Sequence, residues 1–271
     1  MLEEGGLSPK RSLGQNFLID QNFARKIAGE CAEAGERLVE IGPGLGALTL
    51  PLAERVQSVC AIEKDQKLAG ALVGLLESRA ITNVEVVQGD ALDFDLQSLM
   101  DAASISGVVG NLPYNISVPF ILRLIEEVPA ALKMVFLVQT EVAQRLCAPP
   151  GTRDSSFVSL KTQLFCQVRI SMKVPNTVFL PVPNVSSSLV SISRSDVILS
   201  GRTDLAVGAT LGVAKRAFAH RRQMLRRTLN TDPLKESLLA SGVDPTRRPE
   251  SLALEEWLAL GEAVISCGAT P

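Results

Sequence analysis

The stretch Val39-Glu40-Ile41-Gly42-Pro43-Gly44-Leu45-Gly46 is a short apolar run that ends in a glycine-dense turn. Such a turn visits dihedrals closed to other residues and lets a ligand approach bare backbone, so it joins a strand to a helix at a binding edge. Pro43 narrows the ligand. It removes an amide donor from a loop that would otherwise offer its amides to pyrophosphate oxygens. Working outward, apolar runs at Arg37–Ile41, Ser58–Ile62, Val84–Gln88, Gly107–Gly110 and Met134–Val138 read as strands. Helical spacing begins near Gln21, Ala47, Gln66, Ser117 and Thr140, between and around them. This alternation predicts a doubly wound α/β fold with a mostly parallel sheet. Val168–Lys173 and Ser188–Ser193 read as a pair of strands added at one edge.

The ends of the predicted strands carry the chemistry. Glu63 closes the second strand, where a carboxylate accepts hydrogen bonds from ribose hydroxyls. Asp90, in Gly89-Asp90-Ala91 after the third, is placed to accept from an exocyclic adenine amine. With Gly42 and Gly44, they describe a site for S-adenosylmethionine, which carries no phosphate and loses nothing to Pro43. After the fourth strand comes Gly110-Asn111-Leu112-Pro113-Tyr114-Asn115-Ile116-Ser117. Asn111 offers a side-chain carbonyl, and Pro113 holds Leu112 extended so that a backbone carbonyl can face the pocket. Two acceptors suit an adenine amino group, whose lone pair is delocalised into the ring. Holding both its hydrogens favours the pyramidal nitrogen, so catalysis becomes orientation plus electrostatics, with no strong general base. Tyr114, the only tyrosine, is read as a stacking platform for the base, and Ser117 as a helix cap.

Composition excludes several alternatives. The five cysteines, Cys31, Cys60, Cys147, Cys166 and Cys267, form no paired motif and His220 is the only histidine. Disulfide frameworks, zinc sites and a Ser-His-Asp machine therefore have little to be built from, and no metal is expected. No run is long and apolar enough to span a bilayer, and the amino terminus carries no secretory pattern. A cytoplasmic monomer is the expectation. The formal net charge is −2, yet Leu205 to Thr231 contains no acidic residue and holds Lys215, Arg216, Arg221, Arg222, Arg226 and Arg227. On one ideal helix Lys215, Arg222 and Arg226 fall within about 40° of each other, opposite Leu211, Phe218, Leu225 and Leu229. That is a cationic stripe suited to RNA phosphates, to which Lys10 and Arg11 are added. Strand signals stop near Arg194. Residues 1–194 are read as the cofactor-binding domain and 195–271 as a small helical domain facing RNA, with helices at Leu205–Ala219, Met224–Leu229, Leu234–Ala240 and Leu252–Ile265.

With these residues in hand, the chain resembles the KsgA-type ribosomal RNA adenine dimethyltransferases over nearly its whole length. Leu13-Gly14-Gln15-Asn16-Phe17-Leu18 is similar to the family's amino-terminal signature, and the likeness implies cofactor contacts at Asn16 and Leu18. The glycine turn, Glu63, Asp90, Asn111-Leu112-Pro113-Tyr114, Gln139–Arg145 and Phe179–Ser187 follow in family order. From the resemblance, Phe179 supplies an aromatic on the far side of the target base. It implies a Rossmann-like class I S-adenosylmethionine-dependent sheet with a small carboxyl-terminal helical domain. The implied reaction converts two adjacent adenosines in the 3′-terminal hairpin of 16S rRNA, in an immature small ribosomal subunit, to N6,N6-dimethyladenosine. Leu112 and the complete helical segment look more like the small-subunit enzymes than those acting on large-subunit RNA. The basic segment departs from the pattern at Gln223, in place of a usual lysine, and at Arg227, in place of a usual asparagine. Two other readings stand beside this one. A dinucleotide oxidoreductase leaves Asn111 to Tyr114 unexplained, and a non-catalytic assembly or transcription factor leaves the cofactor residues without a purpose.

Overall fold

A computed structural model describes residues 16–195 and 198–268. The described residues fall into two compact units. The first comprises those up to Ala143 together with Val168–Arg194, and the second Gln144–Gln167 together with those from Ser195 onward. The domain division expected from sequence assigned 144–167 to the first unit. The structure groups it with the second, because α7 (Phe157–Phe165) buries Leu160 and Leu164 in a core shared with Val213, Leu225, Trp257 and Leu258.

The first unit is built on a seven-stranded sheet of order β4-β3-β2-β5-β6-β9-β7. Its strands are β2 (Arg37–Ile41), β3 (Ser58–Glu63), β4 (Val84–Gln88), β5 (Gly107–Asn111), β6 (Lys133–Gln139), β7 (Cys166–Val174) and β9 (Ser187–Arg194). From β4 to β6 the pairing is parallel, while β9 runs antiparallel to β6 with Leu137 opposite Leu189. The two added strands are therefore at one edge of the sheet, as expected. The helices α1 (Gln21–Ala32), α2 (Thr49–Ala53), α3 (Gln66–Ser78), α4 (Leu96–Ala103) and α5 (Ser117–Glu127) are the crossovers and flanks. Asp20 and Asp65 start α1 and α3 by accepting from two backbone amides each, which satisfies donors that a helix leaves unpaired. A separate pair, β1 (Phe17–Leu18) with β8 (Phe179–Leu180), runs antiparallel. Neither two-residue strand carries a periodic signal long enough to be read from sequence.

The chain leaves β2 toward β3 and β4, then returns to place β5 on the other side of β2. The order reverses between β2 and β5, and open parallel sheets bind ligands at the carboxyl ends of strands flanking such a reversal. Gly110 permits the approach, since a Cβ there would lie 2.5 Å from the Ile41 carbonyl oxygen.

The second unit is helical. It contains α7, α8 (Asp204–Phe218), α9 (Leu225–Thr228), α10 (Asp232–Ala240) and α11 (Leu254–Ser266) around Trp257, which stacks on Phe218 with ring centroids 5.5 Å apart. The two helices expected at Leu205–Ala219 and Met224–Leu229 form as α8 and α9, so the cations do not share the single ideal helix on which Lys215, Arg222 and Arg226 align. α8 ends at Phe218, and Met224 is extended (φ −67°, ψ 149°) before α9 begins. The cause lies in the backbone. The amides of Leu225 and Arg226 donate to the carbonyls of Arg247 (2.8 Å) and Pro245 (2.9 Å) rather than one turn back along a helix. This turns the fully buried Leu225 into the core.

Candidate functional site

Beyond the carboxyl ends of β2, β3 and β5 lie two cavities whose walls share Gly42, Glu63 and Pro113. The first is lined by Asn16, Leu18, Glu40, Gly44, Asn111, Leu112 and Tyr114 among others; the second by Lys64, Asp90, Ala91, Asn115 and Ile116. The cofactor residues predicted from sequence, Asn16, Leu18, Gly42, Gly44, Glu63, Asp90 and Asn111, thus all reach this double cleft, with Leu112, Pro113 and Tyr114.

The glycine turn is held rather than loose. Gly42 has φ +66° and Gly44 φ +58°, a region that favours glycine, and a Cβ on Gly44 would lie 3.2 Å from the Phe17 ring. Glu63 ties this turn to its own strand end: one carboxylate oxygen accepts from the Gly44 amide at 3.0 Å and the other from the Asp65 amide at 2.9 Å. Burial raises the Glu63 pKa, and those amides oppose the rise. Asp90 accepts from the Leu92 amide at 3.0 Å and pairs with Lys64, whose hydrogen bond holds the Asp90 carboxyl below its ordinary range.

Asn111 donates its Nδ2 to the Asn16 carbonyl at 3.0 Å. That bond links the end of β5 to the residue before β1, uses one of the two Nδ2 hydrogens, and leaves Oδ1 available as an acceptor. Leu112 is anchored by its amide on the Leu137 carbonyl at 3.1 Å. The Tyr114 hydroxyl lies 2.9 Å from the Ser187 hydroxyl, and burial raises its pKa. This fixes the ring at the end away from its apolar face. Ser117 does not cap α5. It is the first helical residue and donates to the Tyr114 carbonyl at 3.2 Å, stiffening the loop instead.

Phe179 is placed otherwise than the resemblance implies. Its side chain is 1% exposed and packs in the core with Leu18, Val178 and Leu189, and it does not line the cleft. Its backbone pairs with Leu18 and its side chain supports that pair from beneath. Lys10 and Arg11 lie outside the described residues.

Three side chains at the cleft were not singled out by sequence. Glu40, within the deciding stretch, is 1% exposed one residue before the carboxyl end of β2, and its Oε2 has no hydrogen-bond partner among the described residues. Burial pushes its pKa up to about 8, the Thr49 hydroxyl pulling the other way and the Glu63 charge adding to the rise. A carboxyl group inside a strand that reads as fully buried was the available signal. Lys64 adjoins Glu63 and shows its role only through its pairing with Asp90. Ser187 holds Tyr114 from a distant part of the chain. Among the described residues no group of three His, Cys, Asp or Glu side chains is arranged to hold a metal ion.

The sheet order, the glycine turn at the switch point and the acidic strand ends define a class I methyltransferase. Two solved structures share the fold: a dimethyladenosine transferase from Plasmodium falciparum (TM-score 0.77, 21% identity, 93% of this chain and 98% of that one) and the 23S rRNA methyltransferase ErmE (TM-score 0.68, 25% identity, 92% and 100%). The family model for ribosomal RNA adenine dimethylase matches residues 6–265, and the chain belongs to that family. Among curated relatives, the ribosomal RNA small subunit methyltransferase A of Geobacillus thermodenitrificans is 37% identical over 279 residues, spanning 98% of this chain and 94% of the relative.

Proposed function

We propose that this chain transfers methyl groups from S-adenosylmethionine to the N6 atoms of two adjacent adenosines in the 3′-terminal hairpin of 16S rRNA, in an immature small subunit in the cytoplasm, acting as a monomer. The observation that carries the reading is the acceptor geometry at Asn111, fixed by its bond to Asn16 beside the half-buried Tyr114 ring. The choice of small-subunit RNA draws on the relatives named for that substrate.

The residues present suit the cofactor. The cleft gathers Glu40, Glu63 and Asp90 on one side, and Glu40 presents a carboxyl oxygen with no partner among the described residues. That donor set fits a ligand bearing cationic amino and sulfonium groups and hydroxyls, and suits a pyrophosphate badly. Glu63 would accept from the ribose and Asp90 from the adenine amine, while Asn16, Leu18, Gly42 and Gly44 would bound the remainder. When bound, S-adenosylmethionine supplies a methyl group on a positively charged sulfur.

The rest is the work of this chain's own groups. The Asn111 Oδ1 and the Leu112 carbonyl take the two hydrogens of the target amine, which turns its lone pair away from the ring. Tyr114 stacks on the base, worth about 1–3 kcal/mol per base. The buried walls exclude water, which strengthens each fixed dipole at the moment charge moves. No side chain need abstract a proton beforehand, because the methylated nitrogen is itself acidic. Of the cations between Lys215 and Arg227, we assign phosphate contacts to Lys215, Arg216, Arg221, Arg222 and Arg227, with Lys10 and Arg11, while Arg226 lies beside the Asp244 carboxylate and is left out of that set.

The test is direct. Purified protein is titrated with S-adenosylhomocysteine and with NAD by calorimetry, then incubated with S-adenosylmethionine and unmodified small subunits. Binding of S-adenosylhomocysteine and appearance of dimethyladenosine in 16S rRNA are expected. Binding of NAD alone would refute the reading.

A further inference from the structure

The turn between α8 and α9 distributes the cations of the basic segment. Arg221 donates to the Arg153 carbonyl at 2.7 Å. Arg226 lies near Asp244: the Asp244 carboxyl is held below its ordinary range first by the Thr246 amide and hydroxyl, and in part by Arg247 and Arg226. At this turn lies a recess between α8 and α9, about 400 Å³ in volume, lined by Arg216, His220, Gln223, Arg227, Thr228 and Asn230 among others. This is within the size range of small-ligand sites, about 300–1,000 Å³.

The recess is cationic without internal compensation. Among the described residues, Arg216, His220 and Arg227 make no ion pair. Arg216 is oriented by its Nε, which donates to the Thr228 carbonyl at 3.3 Å and leaves the two terminal nitrogens of the guanidinium for a ligand. A planar fork held in this way matches a phosphate better than a free lysine does. Beside the cations are the two carboxamides, Gln223 and Asn230, each offering both donors and an acceptor. Cations for one anion and amides for a hydrogen-bonding edge are the two halves of a nucleotide.

We infer that the recess between α8 and α9 is a nucleotide subsite for RNA, in which Arg216, Arg227 and His220 hold one phosphodiester while Gln223 and Asn230 engage the attached base or sugar. The inference rests on the RNA-directed reading above and narrows it. Of the six cations between Lys215 and Arg227, Arg216 and Arg227 share the work with His220, whereas Arg226 does not line the recess. The two positions at which the basic segment departs from the family pattern, Gln223 and Arg227, both form its wall.

The experiment is equilibrium binding of unmodified small subunits across a salt series, using the full chain and the variants Arg227→Ala, Arg216→Lys, Gln223→Ala and Arg226→Ala. S-adenosylhomocysteine affinity and melting temperature of each variant report folding. Arg227→Ala should weaken binding about tenfold and reduce the slope of log affinity against log salt by about 0.7–0.9, the value of one lost phosphate contact. Arg216→Lys keeps the charge, so it should weaken binding while retaining the slope. Gln223→Ala should weaken binding with the slope unchanged, and Arg226→Ala should alter affinity less than twofold. Equal losses in Arg226→Ala and Arg227→Ala would overturn the inference, as would binding of adenosine monophosphate that depends on Arg227 while subunit binding does not. Wild-type protein that binds S-adenosylhomocysteine but neither binds nor methylates subunits would instead bring down the RNA-directed reading itself.

Discussion

Asn111 lines the cleft with one Nδ2 hydrogen bonded to the Asn16 carbonyl, and in the proposed role its Oδ1, as an acceptor for a pyramidalising amine, counts mainly in the transition state. Asn111→Ala is therefore expected to keep S-adenosylhomocysteine affinity while lowering kcat by about 10²–10³-fold, the usual cost of one oriented catalytic dipole. Near-normal turnover in single-turnover assays would contradict this role. Glu40 makes a different prediction. Its folded pKa of about 8 lies above the ordinary carboxyl value of 4.5, so the folded state holds a proton that the unfolded state has lost. Stability falls as pH rises between those two values and stays reduced above them. Glu40→Gln removes the ionisation, so its thermal melting should match wild type near pH 4.5 and exceed it progressively toward pH 8 and above. Parallel pH profiles for the two proteins would rule out the buried carboxyl as the cause. The place of Asn111 on the cleft wall was legible in sequence because it stands at the end of an apolar strand run, just before the Leu112-Pro113 turn. Phe179 was not, because nothing in Val178-Phe179-Leu180 says which of three successive apolar side chains turns inward; that is settled by pairing with Leu18.

At the scale of elements, the five parallel and the two added strands were legible because each combines an apolar run with a turn signal, and their observed ends differ from expectation by no more than two residues. The α8–α9 break was legible as two separate helical runs, Leu205–Ala219 and Met224–Leu229. Its cause was not, because the amides of Leu225 and Arg226 are taken by the carbonyls of Arg247 and Pro245, which lie far along the chain. Ser117 illustrates the same limit in miniature: its type suggests a cap, but its position one residue late makes it a loop brace. The contact between β2 and β5, on which the cleft depends, has a sharp requirement at Gly110. A methyl group there would sit 2.5 Å from the Ile41 oxygen, against backbone that cannot yield cheaply. Gly110→Ala is expected to cost at least the about 1–3 kcal/mol typical of overpacking, read as a lower midpoint in urea, with S-adenosylhomocysteine affinity falling as the strand ends separate. An unchanged midpoint would mean that the two strands are not so tightly apposed.

Across the whole molecule, the proposed chemistry and the proposed RNA contact fall to two different cores. The first unit assembles the cleft from strand ends that are distant in sequence, and the second carries the cationic recess in a chain whose formal net charge is −2. Composition gave weak guidance because the charge that matters is local, confined to a segment without carboxylates. The division at 144–167 was invisible in sequence, since α7 joins the helical core through Leu160 and Leu164 although it precedes two strands of the sheet unit. What unites these parts is the claim that the chain dimethylates adenines of small-subunit RNA. Mass spectrometry of 16S and 23S rRNA from cells lacking the gene, and from the same cells complemented with the wild-type or the Asn111→Ala gene, tests it most directly. The account predicts that the adjacent N6,N6-dimethyladenosines of the 16S 3′ hairpin vanish on deletion, return with the wild-type gene and stay absent with Asn111→Ala. Their persistence after deletion, or loss of methylation in 23S rRNA alone, would contradict it.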